Sequence, residues 1–189
     1  MFAINLNSLF SFFLPVFGIP AVLVQKDAGV YFVKKNLVSF HSNTKQELIK
    51  ATSDQLKGII DADKRTFAFS IALKSFDGFN SPLQKEHFNE NYMESDKFPA
   101  GSFSGHIIEE DDFTKNGTYN IRAKGKFIIH GVEQERILQG DLTVKNGIIK
   151  LACIFTVLLS DHDIKIPRIV HEKLASEIKV TILAEFEKK

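Results

Sequence analysis

Tryptophan is absent from these 189 residues, and cysteine occurs once. A lone thiol, Cys153, excludes an internal disulfide and leaves no cysteine pair for a structural zinc site. It lies in an apolar run with nothing nearby to lower its pKa, so it reads as a buried structural thiol rather than a nucleophile. Excess charge of either sign is also missing, with 24 Lys and Arg against 23 Asp and Glu. Without a basic stripe to neutralise phosphates, nucleic acid is not an expected partner. A phosphate-cradling glycine loop and a dinucleotide fingerprint are both lacking. There is no internal repeat and no low-complexity segment.

What is abundant is phenylalanine, at 18 residues. Phe brings apolar area without a polar handle, which suits either a packed core or an apolar ligand cavity. Residues 8–24, SLFSFFLPVFGIPAVLV, carry no charge and read as the apolar region of an export signal cleaved near residues 21–25. An uncleaved anchor is the alternative, although Pro15 and Pro20 argue against a straight membrane helix. The preceding MFAINLN lacks Lys and Arg, and no lipobox cysteine is present. The expected organisation is therefore a signal over 1–25 and one domain over 26–189.

From Lys26 onward the apolar period is two. Val30 and Phe32, then Val38 and Phe40, alternate with polar neighbours, as do Leu56, Gly58 and Ile60. Phe67, Phe69, Ile71 and Leu73 share one face of the next strand. Ser81 caps a short helix with Pro82 at its first position, and Leu83, His87, Phe88 and Tyr92 lie along it. Phe103, Gly105 and Ile107 follow, then the long alternation Tyr119, Ile121, Ala123, Gly125, Phe127, Ile129. His130-Gly131 turns the chain into Leu138, Gly140, Leu142 and Val144. Asn146-Gly147 is a tight-hairpin signal leading to Ile149, Leu151, Cys153, Phe155, Val157 and Leu159. Ile178, Val180, Ile182, Ala184 and Phe186 form the last strand. Long antiparallel strands with one short helix predict an all-β fold. Glycines at inward parity (Gly58, Gly105, Gly125, Gly140) favour a tightly curved barrel of about eight strands over a sandwich.

Catalytic constellations do not emerge. The six histidines, His41, His87, His106, His130, His162 and His171, form no HxH or HxxH pair, so no metal site is expected. His87 with Glu86 and Glu90 reads as a solvated helix face. Asp161-His162-Asp163 resembles a proton-relay fragment, but Ser160 is adjacent in sequence rather than placed by geometry. Glu109-Glu110-Asp111-Asp112 lacks the glycine and spacing of a calcium loop.

Three segments together resemble the YceI-like family, also called polyisoprenoid-binding periplasmic proteins. They are HFNENYMESDKFPAGSFSG (His87–Gly105), GTYNIRAKGKFIIHGVEQE (Gly117–Glu135) and VKNGIIKLACIFTVLLSDHDIKIP (Val144–Pro167). Asp96, Phe98-Pro99, Phe103 and His130-Gly131-Val132 carry the pattern. The resemblance implies an extended, lipocalin-like antiparallel barrel, periplasmic, non-enzymatic and without a cofactor, holding a lipid or polyisoprenoid-type ligand inside. The helix would cover one end. Candidate interior ligand contacts are Phe67, Phe69, Ile71, Phe88, Tyr92, Phe103, Tyr119, Ile121, Phe127, Ile129, Phe155 and Val157. The alternative is a solidly packed barrel acting as a stress-related or protein-interaction module. Two departures stand out. Arg136 occupies an inward parity, where it must reach a mouth or find a partner. Ile154 and Leu158 make the outer face of their strand apolar, which suggests an outer contact such as a homodimer face.

Overall fold

The structure, a computed structural model, describes residues 29–167 and 174–188. The expected export signal lies outside the described residues, as does His171. Among the described residues, nine β-strands form a single antiparallel sheet: β1 (Val30–Asn43), β2 (Leu48–Ser53), β3 (Lys57–Asp61), β4 (Thr66–Ala72), β5 (Ala100–Ile107), β6 (Gly117–Ile129), β7 (Val132–Lys145), β8 (Ile148–Leu158) and β9 (Glu177–Lys188). The barrel closes where β1 pairs with β9, from Tyr31 opposite Lys188 to His41 opposite Lys179.

Nine segments occupy eight positions around the barrel. β2 and β3 are one interrupted strand, the first against the C-terminal half of β1 and the second against its N-terminal half. Where they part, Asn36 on β1 replaces the missing ladder bonds. Its Nδ2 donates to the Leu56 carbonyl at 3.2 Å, and its Oδ1 accepts from the Leu56 amide at 3.0 Å.

The inward parities of β4, β6, β8 and β9 follow the period-two reading. β1 does not. Tyr31 is buried while Phe32 is exposed, because Lys34 is an extra, unpaired residue between Val33 opposite Phe186 and Lys35 opposite Glu185. One bulged residue reverses the face of everything before it. Alternation counted back from Val38 and Phe40 therefore puts Phe32, rather than Tyr31, inside.

Both tight hairpins close with left-handed pairs: His130-Gly131 at φ 51° and 75°, and Asn146-Gly147 at φ 52° and 78°. These are the conformations that a two-residue turn between twisted strands requires. The helix α1 (Pro82–His87) starts as expected. The Ser81 hydroxyl accepts from the Gln84 amide at 3.2 Å, with Pro82 in the first turn. It continues as one wider turn, Phe88–Tyr92, closed by the Met93 amide on the Phe88 carbonyl at 2.9 Å.

The interior is unlike at its two ends. At the end formed by the start of β1, β4, β6 and β8, it is solid. Tyr31, Ile60, Phe113, Leu142, Ile149 and Phe186 are fully buried there. Phe113, from the β5–β6 loop, plugs this end edge-on against Tyr119, with ring centres 5.2 Å apart. The opposite end, which carries α1, is hollow.

Candidate ligand cavity

The hollow end contains a cavity of about 480 Å³, within the range of roughly 300–1,000 Å³ usual for small-molecule sites. Its walls come from the upper halves of β1, β4, β5, β6, β8 and β9, from Leu138 on β7, and from α1. Nine of the twelve interior candidates line it: Phe69, Ile71, Phe88, Tyr92, Phe103, Phe127, Ile129, Phe155 and Val157. The other three belong to the packed end. Phe67 stacks on Phe69 and lies tilted against Phe103, with centroids at 5.5 and 4.8 Å. Ile121 is buried in the solid core. Tyr119 directs its hydroxyl to the Asp112 and Lys115 carbonyls at 3.2 and 3.1 Å, pinning the loop that carries Phe113. Strand parity separates inside from outside but not one end of a barrel from the other.

Sequence reasoning missed Phe40, Phe76 and Phe79. They form a cluster under α1, with Phe40 stacked on Phe88 at 5.2 Å and 14°, and Phe76 and Phe79 at 6.0 and 5.2 Å from the same ring. Phe88 is thus the side chain that seats the helix. Leu83, 57% exposed, is not. Phe76 and Phe79 flank Asp77-Gly78, where the pattern reads only as a strand break. Their role depends on α1 folding back over the rim.

Polar side chains at the rim beside α1 bind neighbouring segments. The Gln84 side-chain Nε2 donates to the Glu47 carboxylate at 2.9 Å, and the Ser42 hydroxyl accepts from the Ala175 backbone amide at 2.9 Å. Burial in the wall raises the pKa of Tyr92, which keeps it neutral and a donor. Burial likewise pushes the Cys153 thiol up to about 11, and the thiol donates to the Gln139 carbonyl at 3.1 Å.

The segment carrying Asp96 and Phe98-Pro99 packs against the β6–β7 turn. The Phe98 ring lies 4.7 Å from His130 and covers Gly131, where a side chain would begin only 2.4 Å from the ring. Asp96 pairs with Lys74. His130 places Nε2 at 2.7 Å from Glu94 and Nδ1 at 2.9 Å from the His162 carbonyl. His130 is therefore a clasp between three segments at the hollow end. Asp161-His162-Asp163 forms a short turn. His162 is fully buried, with Nδ1 at 3.3 Å from the Val132 carbonyl and its ring at 5.4 Å from Phe127. It is a packing residue whose Nδ1 meets a backbone carbonyl, not a hydroxyl. Among the described residues no group of three or more His, Cys, Asp or Glu side chains is arranged to hold a metal.

Burial lowers the pKa of His162 below the usual 6.5. A base whose folded pKa is depressed binds fewer protons folded than unfolded, so its contribution to stability is complete above pH 6.5 and lost as pH falls through the folded value. Thermal midpoints of the wild type should thus drop between pH 7 and 5 more steeply than those of His162→Gln. Parallel curves would show that the ring is not held neutral.

The YceI-like domain model matches residues 30–186. This chain belongs to the YceI-like family. Solved structures of low identity share its fold. The YceI-like chain matches a polyisoprenoid-binding domain from Saccharophagus degradans implicated in plant cell wall breakdown at TM-score 0.72 and 12% identity, over 86% of this chain and 99% of that one. BcnA of Burkholderia cenocepacia gives 0.66 at 13% identity, over 79% and 95%. The Campylobacter jejuni YceI protein gives 0.57 at 14%, over the whole of both chains. Among curated proteins no match was found.

Proposed function

We propose that this YceI-like barrel is an exported, non-enzymatic carrier that holds one long apolar chain, of lipid or polyisoprenoid type, in its hollow half. The observation that carries the reading is the contrast between the two ends. A protein that used its phenylalanines only for stability would fill both, as cavities are costly. Here one end is close-packed while the other keeps about 480 Å³ of aromatic and aliphatic wall. The name of the Saccharophagus relative supports the ligand class, and the uncharged stretch over 8–24 supports export.

The energetics are adequate. Burying about 15 methylene-sized groups at roughly 0.8 kcal/mol each gives about 12 kcal/mol, enough to offset an association cost of about 4–15 kcal/mol only when the cavity is largely preformed. Native mass spectrometry of protein purified from its own source should show a co-purified lipid, and delipidated protein should take up a long-chain prenol or quinone saturably at one per chain. A clean apo mass together with no uptake would overturn the reading.

A further inference from the structure

We propose that the ligand enters and leaves sideways, through an unpaired window in the wall between β7 and β8, with Arg136 as the bar across it. This route rests on the carrier role above. β7 stays paired with β6 as far as Val132, and β8 stays paired with β9 as far as Leu158. Yet β7 and β8 pair with each other only between Gly140–Lys145 and Ile148–Cys153. Above that point each strand has one edge without a strand partner. Another interruption in the same half, beside β2, is bridged by backbone: Thr52 and Asp77 exchange two bonds of 2.8 Å, with Phe76 and Phe88 packed behind. Among the described residues, only side-chain hydrogen bonds span the gap between β7 and β8.

Those side chains define a frame and a bar. At the top, Gln134 Nε2 donates to the Asp161 carbonyl at 2.9 Å, and His162 meets the Val132 carbonyl. At the bottom, Gly140 pairs with Cys153, whose thiol reaches the Gln139 carbonyl. Across the middle, the Arg136 guanidinium donates from Nη2 to the Thr156 carbonyl at 2.9 Å. The framed stretch, about five residues a side, spans roughly 16 Å at about 3.3 Å per residue, ample for a linear chain.

The lips carry apolar side chains on both faces, with Glu135 and Gln139 exposed beside them outside. Outside, Ile137, Ile154 and Leu158 are 55%, 61% and 43% exposed. Inside, Leu138, Phe155 and Val157 line the cavity. An apolar chain crossing here meets apolar side chains on both faces of the wall, and the Arg136 guanidinium can swing outward into water at no desolvation cost. Entry under α1 would instead break the Phe88 stack. Bare strand edges are ordinarily covered or paired because they invite association. Leaving two of them against a cavity makes sense where the wall has to part.

The test uses a fluorescent polyene fatty acid and stopped-flow exchange in a Cys153→Ala background. Ile137 and Thr156 stand opposite each other in the continued register. Joining Ile137→Cys to Thr156→Cys with a reductant-cleavable bis-methanethiosulfonate should slow uptake and release at least tenfold, and reductant should restore both. Arg136→Ala should speed both several-fold. The same cross-linker joining Asp77→Cys to Lys85→Cys, which fixes α1 to the rim, should change the rates less than twofold. The converse pattern, with the α1 tether blocking exchange and the window tether not, overturns the route. So does equal hydrogen-exchange protection of window-directed amides in 135–139 and 154–158 and of the paired amides in 140–145, even if the probe binds. Failure of the probe to bind the untethered protein removes the carrier role and the route together. Binding with rates untouched by the window tether removes the route alone.

Discussion

Phe186→Ala should lower the free energy of unfolding by about 3–5 kcal/mol, the range for truncating a fully enclosed phenylalanine. Phe186 sits at the packed end with no solvent exposure. It pairs with Val33 across the closing seam of the barrel and with Ile149 on its other side, and its ring lies 5.7 Å from Phe69. The surrounding strands are fixed by their ladders, so the void cannot collapse. Phe127→Ala provides the contrast. Its ring also meets neighbours, Phe103 at 6.2 Å and Phe155 at 5.8 Å, but one side faces the cavity, where there are no contacts to lose. Its expected cost is about 2 kcal/mol, with a several-fold change in affinity for an apolar probe. Denaturant titrations of both variants check this. Equal costs would mean that the hollow end is packed in solution.

Gly125→Ala should destabilise by about 3 kcal/mol or more, the upper range for overpacking, although it adds a single methyl. Gly125 and Gly105 stand directly opposite on β6 and β5. A Cβ on Gly125 would lie 2.2 Å from the Ser104 carbonyl oxygen, and one on Gly105 would lie 2.1 Å from that of Lys124. The obstructing atoms are backbone, so relief requires the two strands to separate. A cost under 1 kcal/mol by chemical denaturation would show that they are not that close. The effect of the double variant should be less than additive, since one separation relieves both clashes.

Gly105 and Gly125 also mark how far a one-dimensional pattern reaches. Their inward parity, in otherwise apolar alternations, was enough to prefer a barrel over a sandwich, since a curved sheet needs close approach somewhere. The cap of α1 was legible because Ser81 and Pro82 act locally. Facts that depend on pairing were not. The bulge at Lys34 is invisible in VYFVKKNLV, because the extra residue is defined only against Phe186 and Glu185 on a strand about 150 residues away. The division between packed and hollow ends was equally hidden, which is why Phe67, Tyr119 and Ile121 looked equivalent to Phe69, Phe127 and Ile129. Arg136 and the outer Ile154 and Leu158 were noticed as misfits with their strand pattern. They turn out to border one gap, and the missing pairing that relates them could not be read from either strand alone.

The pairing of β1 with β9 has a consequence for how the polypeptide is made. The strand at the beginning of the domain finds its last neighbour in the strand synthesised at the end of it, so no barrel can exist on a partly completed chain. Until β9 emerges from the ribosome, the growing sheet retains two open margins, and its long-range contacts favour slow formation. Closure is then a single late event.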